Sequence, residues 1–138
     1  MPVLHALRLT PNQDLMHELD AFVRTHQLEA AAILTCVGSL RRARLRFADK
    51  SDGSVIDGRF EIVSLTGTLS IHGSHVHMAL SDGQGRTIGG HMLHGCLIYT
   101  TAEIVLAQLP GLCFTRRHDP ATGYDELAIT SNPQGDAA

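Results

Sequence analysis

From Arg41 onward the chain is written mostly at period two, and that rhythm restricts it to a fold built around a sheet. Ala43, Leu45 and Phe47 alternate with Arg42, Arg44 and Arg46, which gives that segment one apolar and one basic face. Asp52-Gly53 supplies a turn. Runs rich in Ile, Val and Thr follow at residues 60–65, 75–80, 87–93 and 97–106, with shorter ones at 112–116 and 127–129. Residues 97–109 also fit a helix, because a short apolar run does not fix its own period. Upstream, residues 3–9 read as a first strand, and residues 30–37 as another that Gly38-Ser39 ends. Between them Leu15, Leu19, Phe22 and Val23 form a helical stripe reaching about Gln27, with Thr10 as N-cap and Pro11 at the first helical position. The expectation is one α+β domain over residues 1–131, a mostly antiparallel sheet with a flanking helix or helices, followed by a polar, flexible tail over residues 132–138.

With 138 residues, 43% of them hydrophobic and 18% charged, the chain is large and apolar enough for a real core. The net charge of −3 gives it no overall attraction to a polyanion, and the absence of Trp leaves few rings for stacking on bases. Binding to DNA or to a membrane surface is therefore not expected. Cys36, Cys96 and Cys113 are odd in number and widely spaced, so free thiols in a reducing compartment are expected rather than a disulfide framework. The first residues carry no basic stretch followed by an apolar run, and no segment approaches the ~18 consecutive apolar residues of a membrane span. A cytoplasmic protein is the expectation.

The histidines carry the chemistry. His75 and His77 are two apart, so on a strand they share a face. Residues 81–86, Ser-Asp-Gly-Gln-Gly-Arg, form a turn-rich stretch between two strands. A hairpin centred near Gln84 puts His77 opposite His91, with His75 as diagonal neighbour on the same face. Opposed Cβ atoms lie about 4.5–5.5 Å apart and diagonal ones about 7–8 Å. Three imidazoles so placed can converge on a cation with bonds of about 2.0–2.1 Å. Val76, Met78 and Leu80 then point the other way, into a core. Slipping the register by one residue would turn His91 to the wrong face. Leu93 and Ala79 share the histidine face and cannot coordinate, so one position of a tetrahedral cation, zinc first among divalent metals, stays open to a small anionic ligand. By the same count His72 and His94 fall on the opposite face. His5, His17, His26 and His118 read as surface residues.

The segments Gly58-Arg-Phe-Glu-Ile62, Ser64-Leu-Thr-Gly-Thr68, His75-Val-His77, Gly89-Gly-His91, Thr101-Ala-Glu-Ile-Val105 and Asp119-Pro-Ala-Thr-Gly123, in this order, resemble the plants and prokaryotes conserved (PPC) domain over nearly the whole chain. The resemblance implies an α+β fold with a mostly antiparallel sheet, a homotrimer, and a three-histidine metal unit that falls on His75, His77 and His91. Plant members join this domain to AT-hooks that bind the minor groove. No Arg-Gly-Arg-Pro element occurs in this sequence, which removes the physical basis for the same function here.

Other residues are weaker leads. The stripe Arg42, Arg44 and Arg46 either holds an anion or is a solvated strand face that discourages edge pairing, and Arg116-Arg117 poses the same choice. Glu103, inside an apolar run, and Glu61, between Phe60 and Ile62, are candidates for a general acid or base near the metal, or else paired structural carboxylates. Gly83, Gly85, Gly89 and Gly90 fit a hairpin turn and close backbone packing. Two functions follow: a trimeric metal-binding protein with an open coordination position, or a DNA-binding or protein-interaction module in which a metal is structural.

Overall fold

A computed structural model describes residues 1–133. The elements are β1 (Val3–Leu9), α1 (Leu15–Thr25), β2 (Ala31–Arg46), β3 (Ser54–Leu69), β4 (His75–Ser81), β5 (Thr87–Met92), β6 (Leu97–Gln108), β7 (Leu112–Asp119) and β8 (Tyr124–Ser131). Six strands form one sheet in the order β1-β6-β2-β3-β4-β5, and the end of β5 returns to pair with the end of β2. All of these pairings are antiparallel. Strands β2 to β5 thus close on themselves, while β7 and β8 make a separate hairpin. The architecture is the expected one: a mostly antiparallel sheet with one helix. No described helix is long and apolar enough to cross a membrane. Of the tail expected to be flexible, residues 134–138 lie outside the described residues.

One expectation about strands is corrected, and the choice left open over residues 97–109 falls to the strand. The break at Gly38-Ser39 does not occur, because β2 runs through it for 16 residues. A Cβ on Gly38 would stand 2.2 Å from the carbonyl oxygen of Thr101, so glycine here lets β6 come close. The strand then bends at a bulge between Leu40 and Arg42 instead of ending. Residues 97–108 are strand β6, seated between β1 and β2. Its buried Ile98, Ala102 and Leu106 are spaced by four, which is why the sequence also fits a helix.

Helix α1 begins later than Thr10-Pro11 would place it. Asp14 is the N-cap, its carboxylate accepting from the backbone N–H groups of Met16 (3.1 Å) and His17 (3.2 Å). Asn12 adopts φ 73°, a left-handed conformation that no helical residue has, so the helix cannot start before it. At the other end Gln27, with φ 51°, lies beyond the stop at Thr25. Leu15, Met16, Leu19 and Val23 form the buried stripe and belong to the same core cluster as Leu40, Leu45, Ile98 and Leu106 of the sheet.

Candidate metal centre

The β4–β5 hairpin has the register that its turn dictates. Asp82 folds the turn by accepting from the backbone N–H groups of Gln84 and Arg86, both at 2.9 Å, while Gly85 takes φ 79°. Those N–H groups hold the Asp82 carboxyl below the usual carboxylate range. From that turn His77 lands opposite His91. His75 lies two residues along on the same face, and Val76, Met78 and Leu80 are buried behind.

The three imidazoles converge. One nitrogen from each lies within 4.8 Å of the others, and the Nε2 atoms of His75 and His77 are 3.0 Å apart. Two nitrogens on one tetrahedral zinc sit roughly 3.4 Å apart, as bonds of 2.0–2.1 Å require. The donor set therefore fits such a cation after small ring rotations. His91 Nδ1 is buried with no hydrogen-bond partner among the described residues. A buried polar atom in that condition costs free energy, and a cation at that nitrogen would satisfy it.

Electrostatics favours the ligating form. Burial pushes the His91 imidazole down to about 4, helped by the Arg46 guanidinium and by His75 and His77. His75 is also lowered, first by burial and then by His77 and Arg116. Both rings are therefore neutral near pH 7, as coordination requires. Arg46 pairs with His91 where β5 meets β2, an approach that Gly90 permits, since a Cβ there would stand 2.8 Å from the Arg46 carbonyl oxygen. An open cleft of about 900 Å³ adjoins the histidines, lined also by Arg46, Lys50 and Tyr124.

The other candidates are placed differently. Glu61 lies opposite Ser39 and Ser81, Glu103 opposite Arg8 and Val37, and both are exposed. Neither lines the histidine cleft, so neither is positioned as its acid or base. The arginine stripe divides: Arg42 is held by Asp57 at 2.7 Å, while Arg46 faces the cleft. Arg116 reaches Thr68 Oγ1 at 3.3 Å and borders a smaller cleft beside His75 and His91. His72 and His94 occupy connections, not strand faces, and His94 Nε2 lies 3.0 Å from Asp20. His5, expected to be simply exposed, packs edge-on against Phe22 and bonds Gln108 at 2.9 Å. The sequence reading missed Lys50 and Tyr124, because neither the β2–β3 loop nor β8 is near the hairpin in sequence. The only signal was the Asp119–Gly123 turn that precedes Tyr124.

Comparison with known proteins gives the class. Residues 3–110 match the Plants and Prokaryotes Conserved (PCC) domain, also written PPC. The chain belongs to that family. A Synechococcus protein named Bifunctional protein GlmU is 52% identical over 91% of this chain, and the chain spans only 20% of that relative's length. A solved structure of a hypothetical Salmonella protein superposes with TM-score 0.94 at 45% identity, covering 96% of each chain. A metal-containing protein from Archaeoglobus fulgidus gives TM-score 0.78 at 25% identity, over 91% of this chain and 93% of its own.

Proposed function

We propose that the protein is a trimeric, divalent-metal-binding member of this family, in which His75, His77 and His91 hold zinc or a similar ion and leave one position for a small anion. The observation that carries this reading is the convergence of three imidazole nitrogens within 4.8 Å on one face of a hairpin whose register is fixed by its own turn. Zinc held by three imidazoles supplies Lewis acidity at an exchangeable fourth position. Arg46 and Lys50 on the cleft wall outnumber its one carboxylate, Asp49, and favour a ligand of negative charge, such as a carboxylate. The Archaeoglobus neighbour, described as metal-containing, agrees with this reading. Three unpaired cysteines suit a reducing compartment, which makes the cytoplasm the proposed location.

Elemental analysis is expected to find about one metal per chain at this centre, since three protein ligands are typical of an open site. His77→Ala should remove most of it. The cobalt form of the wild type should give a tetrahedral spectrum that changes with azide or acetate. Wild-type protein that, after supplementation with zinc, holds no more than ~0.1 metal per chain above the His77→Ala variant would reject metal binding at the three histidines. A cobalt spectrum insensitive to every small anion would make the metal structural.

A further inference from the structure

We infer a second metal site, independent of the three histidines, at Glu29, His72 and Cys113. These residues come from the α1–β2 connection, the β3–β4 turn and β7, yet one ligand atom from each lies within 4.8 Å of the others. His72 Nε2 stands 3.9 Å from a Glu29 carboxylate oxygen. Bonds of about 2.3 Å to sulfur and 2.0–2.2 Å to nitrogen and oxygen place the donors of a tetrahedral zinc roughly 3.3–3.8 Å apart. Small side-chain rotations close the difference.

The backbone around the cluster is already fixed. Ser70, buried between the segments, donates its hydroxyl to the carbonyl of Phe114 at 2.8 Å and accepts from the N–H of His72 at 3.1 Å. The Phe114 N–H donates to the Glu29 carbonyl at 2.8 Å, and the Ile71 N–H to that of Leu28 at 2.9 Å. Each ligand is therefore anchored at or next to its own Cα by a hydrogen bond to another of the three segments, and the donors are arranged before any cation arrives. A thiolate, an imidazole and a carboxylate select zinc and its neighbours over magnesium or calcium, which take oxygen donors. In the metal-free cluster the Cys113 thiol donates a hydrogen bond to the Glu29 carboxylate, and that proton leaves to solvent when a cation takes the thiolate. Cys36 and Cys96, both buried, are outside this group.

Cobalt(II) separates this site from the histidine centre, because only a sulfur ligand adds an intense near-ultraviolet charge-transfer band. The 138-residue chain titrated with cobalt(II) should show that band in the wild type and in His77→Ala. It should be lost in Cys113→Ser and strongly weakened in His72→Ala. Without any variant, zinc should protect the Cys113 thiol of wild-type protein from a disulfide reagent. Absence of the band at saturating cobalt, its survival in Cys113→Ser, or labelling of Cys113 unaffected by zinc would each overturn the site. None of these readouts depends on the histidine centre, whose failure would appear separately as a metal content unchanged by His77→Ala.

Discussion

His91 is a residue whose surroundings were assembled from distant parts of the chain. Its strand partner His77 was readable from the hairpin, but the Arg46 guanidinium arrives from β2 and, second to burial, lowers its pKa further. A linkage follows in the metal-free protein. The unfolded imidazole titrates near 6.5, whereas the folded one is held near 4, so between those values the unfolded state binds more protons. The stability contributed by this difference is complete above about pH 6.5 and is lost as pH falls toward 4. Urea unfolding of chelator-treated protein across that window should show a falling midpoint, and His91→Asn should flatten the fall. Equal slopes in the two proteins would mean that His91 is not shielded from protonation. By the same logic zinc should stay bound below the pH at which an ordinary imidazole would release it, since protons compete poorly for His75 and His91.

Among the elements, α1 depends on a cap that also ties it to the sheet. The Asp14 carboxylate caps the helix with one oxygen and accepts from the Gly95 N–H at 2.7 Å with the other, and Asp14 itself bridges to Leu97. Removing an N-cap costs about 0.5–2 kcal/mol, and the additional Gly95 bond places Asp14→Ala toward the upper end. Chemical denaturation should read that loss with no change in metal content. The helix itself was legible, because Leu15, Leu19 and Val23 keep its period, but its start was not. Thr10-Pro11 has the composition of a helix start, and only the left-handed backbone at Asn12 defers it to Asp14. The hairpin bearing the histidines was legible to the residue, since Asp82 and Gly85 specify its turn locally. The length of β2 was not, because Gly38 continues a strand only by virtue of Thr101, which comes from another element. The cleft wall escaped for the same reason: Lys50 and Tyr124 meet the histidines only through the closure of β2 on β5 and the placement of the β7–β8 hairpin.

At the scale of the molecule, charge and exposed apolar surface point to different kinds of partner. A net charge of −3 gives no overall attraction to phosphates, and Arg42 and Arg86 are already engaged by Asp57 and Asp82. No sub-micromolar binding to AT-rich duplex is expected at about 0.15 M salt. Fluorescence anisotropy showing such binding would favour the DNA-binding reading instead. The apolar surface argues for association with copies of the same chain. Leu34 and Val37 on β2, Val55 and Val63 on β3 and Ile129 on β8 are each more than half exposed, although they lie in strands where such side chains are normally covered. A cyclic trimer requires two complementary patches per chain, and a standard interface covers about 800 Å² on each partner. About a fifth of the 7935 Å² surface would then be enclosed. Light scattering coupled to size exclusion should give three times the 14.9 kDa of one chain. Val37→Glu and Val63→Glu would place a charge on a covered face, and each is expected to shift the population toward monomer while far-ultraviolet circular dichroism stays unchanged. A wild-type monomer at micromolar concentration rejects the trimer, and a trimer indifferent to both charges moves its contact surface away from β2 and β3.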